Sequence, residues 1–156
     1  MPSPAAICSA VKSSSVTLPI GDVWRWSGRI DGDEYAPRTA RAAVHEACGR
    51  KFDAGTVVDI QLVVSELVTN CVEHGHADSV QLCLAGVGDK ITVTVASAAP
   101  LDGVPHPDDW CLPTATACSG RGLAMVGRIG CAGLRVTDSG DDAWSAITVS
   151  IEPRTA

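Results

Sequence analysis

Apolar and polar positions change period several times along the chain, and each change marks an element. Val23-Trp24-Arg25-Trp26-Ser27-Gly28-Arg29-Ile30 alternates large apolar with polar side chains, the pattern of a strand with one buried face. Asp31-Gly32-Asp33 turns the chain, and Pro37 stands where a first helical turn accepts it. Ala40, Ala43, Val44 and Ala47 then recur at helical spacing up to about Cys48, with Gly49 as a stop. Asp53-Ala54-Gly55-Thr56 reads as a loop whose Thr56 can cap a second helix, about Val57 to His74, closed by Gly75. Two alternating strands follow, Ser79 to Ala85 and Lys90 to Ala96, joined by Gly86-Val87-Gly88-Asp89. Ser97 to Ser119 carries Pro100, Pro105, Pro107 and Pro113 and has no period; a connection this long is usually functional, often a lid. Gly120-Arg121-Gly122 opens a short helix, about Leu123 to Ile129. Leu134 to Thr137 and Ala143 to Ile151 form a closing strand pair around Ser139-Gly140-Asp141-Asp142.

The order β-α-α-β-β-lid-α-β-β predicts an α+β fold. It is a two-layer sandwich in which a mixed, mainly antiparallel sheet is covered on one face by helices. Residues 1–20 are Ser-, Ala- and Pro-rich without period and read as a flexible tail; residues 21–156 make one domain.

Composition narrows the class. Hydrophobic residues make up 46% and charged residues 19% of the chain, which is ordinary for a packed domain. A net charge of -6 leaves no excess of cations to neutralise phosphates, so direct nucleic-acid binding and anionic-membrane binding are not expected. The first residues lack the basic and apolar regions of a secretory signal, and no apolar run is read as approaching the roughly 20 residues of a membrane span. Seven cysteines occur with no C-x-x-C spacing, and several sit in apolar runs, as Cys71 and Cys83 do. The expectation is thiols in a reducing, cytoplasmic setting.

The candidate chemistry lies on the second helix. At roughly 100° per residue, Glu66, Asn70 and His74 fall within about 80° of one another and form one polar ridge. Val64, Leu67, Val68 and Cys71 occupy the adjoining arc, so the ridge borders a core-facing stripe, where a helix meets a ligand. His74 and His76 with Cys71 do not make a metal site, because Cys71 belongs to the core arc and no fourth ligand is evident.

Three pieces together carry a resemblance: Ser65-Glu66-Leu67-Val68-Thr69-Asn70 with His74-Gly75, the end of the strand at Ala96, and Gly120-Arg121-Gly122-Leu123-Ala124-Met125-Val126. The arrangement resembles the ATP-binding domain of the histidine-kinase-like (gyrase/Hsp90-type) ATPase superfamily, with its Bergerat-type fold, over about residues 22–151. Within it, the chain is similar to the anti-sigma-factor serine kinases. The resemblance implies ATP with Mg²⁺ as cofactors, the metal held through the Asn70 amide oxygen and Glu66 as the catalytic base. It also implies nucleotide contacts from His74, Ser97, Ser119, Gly120, Arg121, Gly122 and Leu123, the glycines letting backbone approach phosphate at a helix start. A sigma factor or an anti-sigma antagonist would be the protein partner, and a homodimer is among the assemblies implied. One element departs from the pattern. The family places an acid after the strand to receive the adenine amino group, and here Ser97 stands in that position, followed by Ala98-Ala99-Pro100. The alternative reading is a module of the same fold that acts through protein–protein contacts without nucleotide.

Overall fold

The computed structural model describes residues 23–98, 121–137 and 144–154. The expected tail at 1–20, the lid between Ala98 and Ser119, Gly120, the closing turn at 139–142, and Cys8, Cys111 and Cys118 lie outside the described residues. Strand β1 (Val23–Asp31) is followed by α1 (Ala36–Cys48) and α2 (Ala54–Thr69), which runs straight into a π-helical turn, Asn70–His74. Then come β2 (Ser79–Val87), β3 (Lys90–Ser97), α3 (Arg121–Ile129), β4 (Gly130–Thr137) and β5 (Trp144–Ile151).

The strands form one five-stranded sheet in the order β1-β2-β3-β5-β4. Among the described residues every strand pairing is antiparallel, in keeping with the mainly antiparallel sheet expected. Alternation fixes which side packs. Val80, Leu82 and Leu84 on β2, Ile91, Val93 and Val95 on β3, and Ile147, Val149 and Ile151 on β5 are all buried beneath the helices. From the other side α2 contributes Ile60, Val63, Val64, Leu67 and Val68, none with any exposed surface. The two-layer α+β arrangement follows from that one shared core.

The ends of α2 differ from the sequence reading. Its N-cap is Asp53, not Thr56: the Asp53 carboxylate accepts from the Thr56 backbone N–H at 3.0 Å and from the Thr56 hydroxyl at 2.6 Å. The helix therefore begins at Ala54, and Thr56 is buried inside its first turn. Those two bonds from Thr56 hold the Asp53 carboxyl below its ordinary pKa. At the other end Gly75 keeps a right-handed φ of −90°, and it is His76 that adopts φ 52°. The whole helix, Ala54–His74, spans 21 residues and by length and composition could cross a membrane, which the sequence reading did not allow for. Its buried face against the sheet is that of a core helix.

The chain after β5 is tied back to the start of α2. Arg154 donates two bonds to Asp59, Nε to Oδ2 at 2.7 Å and Nη2 to Oδ1 at 2.8 Å, and its backbone N–H donates to Thr56 Oγ1 at 3.0 Å. Asp59 is only 12% exposed at its side chain, so it depends on this fork for partners. Arg154→Ala is expected to lower the urea midpoint of unfolding. Arg154→Lys should recover only part of the loss, since an ammonium cannot reproduce a planar two-bond fork.

Candidate functional site

The site gathers at the C-terminal half of α2, flanked by α1 on one side and α3 on the other. Arg41 of α1 donates to Ser65 Oγ at 2.8 Å, and Gln61 Nε2 donates to the Arg41 carbonyl at 3.1 Å. These bonds hold α1 against α2 one residue before Glu66. On the far side α3 begins beside Glu66, because a Cβ placed on Gly122 would overlap the Glu66 carboxylate. Helix α3 then runs back along α2. It ends where Gly130 pairs with Ile151, close to the Arg154 anchor at Thr56 and Asp59.

Glu66 and Asn70 are both half-buried at the margin of the core, one α-helical turn apart. Between them lies a change of helix type. The Asn70 N–H still reaches Glu66 and Leu67 carbonyls, but its own carbonyl accepts from Gly75, five residues on, at 3.0 Å. Ala77 N–H bonds the Cys71 carbonyl at 3.0 Å. This wider turn breaks the uniform spacing on which the ridge of Glu66, Asn70 and His74 was drawn, and π turns of this kind are frequent at functional sites. His74 ends the turn and is exposed. Asn70 has no side-chain hydrogen bond among the described residues, which leaves its amide oxygen available to a ligand.

Ser97 closes β3 and is buried, 1% exposed. It hydrogen-bonds the thiol of Cys71, the residue after Asn70, so the strand end and the π turn are in direct contact. Burial pushes the Cys71 thiol above its ordinary pKa, and the Ser97 bond opposes this in part. Cys71 was expected only as core, and nothing in its spacing signalled this contact. Cys48 is likewise buried, its pKa pushed up to about 11 by desolvation with Lys51 opposing, so it is a protonated, unreactive thiol near neutrality. Leu123 is half-buried and packs against the core cluster. Arg121 is the first residue of α3, and its side chain lies outside the described residues, as do Ser119 and Gly120. Among the described residues no group of three His, Cys, Asp or Glu side chains could hold a metal ion.

What the arrangement can do follows from its parts. A carboxylate and an amide oxygen lie on one helix edge, and the positive end of a second helix starts against the carboxylate. An acceptor for a proton, a hard oxygen donor and unpaired backbone N–H groups in one place suit an anionic ligand carrying a hard cation. The far end, at Ser97, is neutral and already engaged with Cys71.

Comparison with known proteins identifies the family of the domain. The model of the family described as "Histidine kinase-like ATPase domain" matches residues 32–130, more than half of the chain. No curated protein matches. Among solved structures, the Acinetobacter baumannii histidine kinase AdeS is similar with a TM-score of 0.43 and 16% identity, over 83% of this chain and 68% of that one. The histidine kinase domain from the Erythrobacter litoralis EL346 blue-light activated histidine kinase is similar with a TM-score of 0.44 and 23% identity, over 96% of this chain and 68% of that one. At these TM-scores neither likeness adds to the family match.

Proposed function

Because the chain belongs to the histidine kinase-like ATPase domain family, we propose that it is a Mg·ATP-binding regulatory protein that acts on transcription through a sigma factor or an anti-sigma antagonist. The observation that carries the nucleotide part is the meeting of Glu66 with Gly122 at the start of α3, one helical turn from Asn70. The partner part rests on the likeness of Ser65–Asn70, His74-Gly75 and Gly120–Val126 to the anti-sigma-factor serine kinases. A reducing cytoplasm is the setting that this role and the thiols suit.

At the phosphate end the residues fit the cofactor. The Asn70 amide oxygen, without a hydrogen-bond partner among the described residues, is a ligand of the type Mg²⁺ accepts, and one such ligand suffices because Mg²⁺ retains waters. Bound Mg·ATP would supply a γ-phosphoryl group with its charge neutralised. Glu66 would accept the proton of the attacking hydroxyl, a serine of the antagonist in the kinase reading or a water otherwise. The first turn of α3 would face the anion with unpaired N–H groups.

A second reading rests on a different observation. Ser97 offers no negative charge to a base amino group, and its hydroxyl is already bonded to Cys71. Losing one charge-assisted hydrogen bond costs about 1.5–3 kcal/mol, or about ten- to more than a hundredfold in affinity. On this reading the chain keeps the fold and works through protein contacts alone. Calorimetric titration with ATP, with and without Mg²⁺, separates the two. The nucleotide reading expects saturable, Mg²⁺-dependent binding that falls at least tenfold in Asn70→Ala. Absence of heat at millimolar Mg·ATP, with partner binding indifferent to nucleotide, would establish the second reading. Binding unchanged in Asn70→Ala would remove the metal role.

A further inference from the structure

The resemblance assigns Gly120 and Gly122, at the start of α3, to the close approach of phosphate. The structure shows a different neighbour at Gly122. A Cβ built there would overlap Cδ and Oε2 of Glu66 and stand 3.0 Å from its Cγ. These nearest atoms all belong to one side chain, from Cγ outward to the carboxylate, and none is backbone.

We propose that Gly122 is a positioning residue for Glu66: the missing side chain is the seat that holds the carboxylate against the first turn of α3. The functional consequence rests on Glu66 being the base of the proposed reaction, whereas the seat itself does not. A glutamate has three side-chain torsions, and on a half-exposed helix edge several staggered rotamers compete. A base works only within hydrogen-bond reach of the proton it takes. Gly122 narrows that choice from outside the side chain. It leaves a space that the end of the Glu66 side chain occupies, at the first turn of α3.

The geometry makes a side-chain addition unusually informative. The overlapping atoms are the far end of a flexible chain, so Gly122→Ala can be accommodated by moving Glu66 while the backbone stays. Alanine is otherwise the better helix former, so a purely structural role for this position predicts unchanged or raised stability and no effect on Glu66. A phosphate-approach role predicts weakened nucleotide binding whichever residue stands at 66.

The test uses the full chain as wild type, Gly122→Ala, Glu66→Ala and the double variant. Three readouts are followed: thermal unfolding, the ¹³C signal of the Glu66 carboxyl, assigned with Glu66→Gln, and kcat and KM for Mg·ATP. The seat predicts that Gly122→Ala folds, moves the Glu66 carboxyl signal, and lowers kcat by about a hundredfold with little change in KM. It further predicts that Gly122→Ala is more favourable to stability in the Glu66→Ala background than in wild type, because only the helix propensity of alanine is left there, the signature of a contacting pair. An unmoved carboxyl signal, with equal loss of nucleotide affinity in both backgrounds, overturns the seat. If no form turns over nucleotide, the carboxyl signal and the stability coupling still decide the seat, and the proposed reaction fails separately.

Discussion

Glu66→Gln is expected to reduce phosphoryl transfer or hydrolysis of Mg·ATP by about 10²–10⁴-fold, the usual contribution of a positioned general base. Nucleotide affinity should change little, because the amide matches the carboxylate in size and leaves Asn70 and the start of α3 in place. Glutamine also fits the space opposite Gly122, so the variant separates the charge of Glu66 from its shape. Single-turnover measurement of γ-phosphate loss, alongside calorimetric affinity, checks both halves. If turnover stays within threefold of wild type, the proton acceptor lies elsewhere. Loss of affinity equal to the loss of rate would instead mean that Glu66 contributes to binding alone.

The largest effect on stability is expected one residue further on. Leu67 is fully buried, on the face of α2 that meets the sheet. Leu67→Ala removes its core contacts and leaves a cavity, which costs about 2–5 kcal/mol, a large part of the roughly 5–15 kcal/mol that holds a domain folded. For a domain of this length each kcal/mol lowers the melting temperature by about 2–4 °C. Urea unfolding followed by circular dichroism should show the midpoint falling with an unchanged slope. The exposed apolar side chain of Val58, on the same helix, provides the contrast: Val58→Ala should move the midpoint by no more than about 0.5 kcal/mol equivalent.

Much of this fold was legible because its core obeys simple periods. The helical recurrence of Val64, Leu67, Val68 and Cys71, and the alternation in β2, β3 and β5, each correspond to one buried face in the structure. The misjudged boundaries fall where contacts distant in sequence decide. Gly86 reads as a loop residue, yet it continues β2 opposite Trp24, whose indole occupies the space a Cβ would need. β4 starts at Gly130, four residues before the expected Leu134, because β5 offers it a partner in Ile151. At Asp53-Ala54-Gly55-Thr56 both ends can cap a helix, and the choice falls to Asp53 because the Thr56 hydroxyl also serves Arg154 from the far end of the chain.

The site divides in the same way. Glu66 and Asn70 stand out through helical spacing, and the resemblance links them to the glycines at the start of α3. No local code announces the π turn, since a bond from Gly75 to Asn70 depends on how the chain must leave the helix to reach β2. The pairing of Cys71 with Ser97 joins a core thiol to a strand end, and neither residue type demands the other. The contact between Gly122 and Glu66 adds a neighbour that the sequence did not announce.

Two of those contacts have a consequence for how the chain can vary. The connection from β3 to α3 departs at Ser97, beside Cys71, and returns at Gly122, beside Glu66. Its two ends are thus fastened to the same stretch of one helix, and the separation it must close is set by that helix and not by its own residues. A substitution on α2 between Glu66 and Cys71 therefore acts on both ends of that connection at once, and the acid and the strand end keep their spacing for as long as this stretch of helix does.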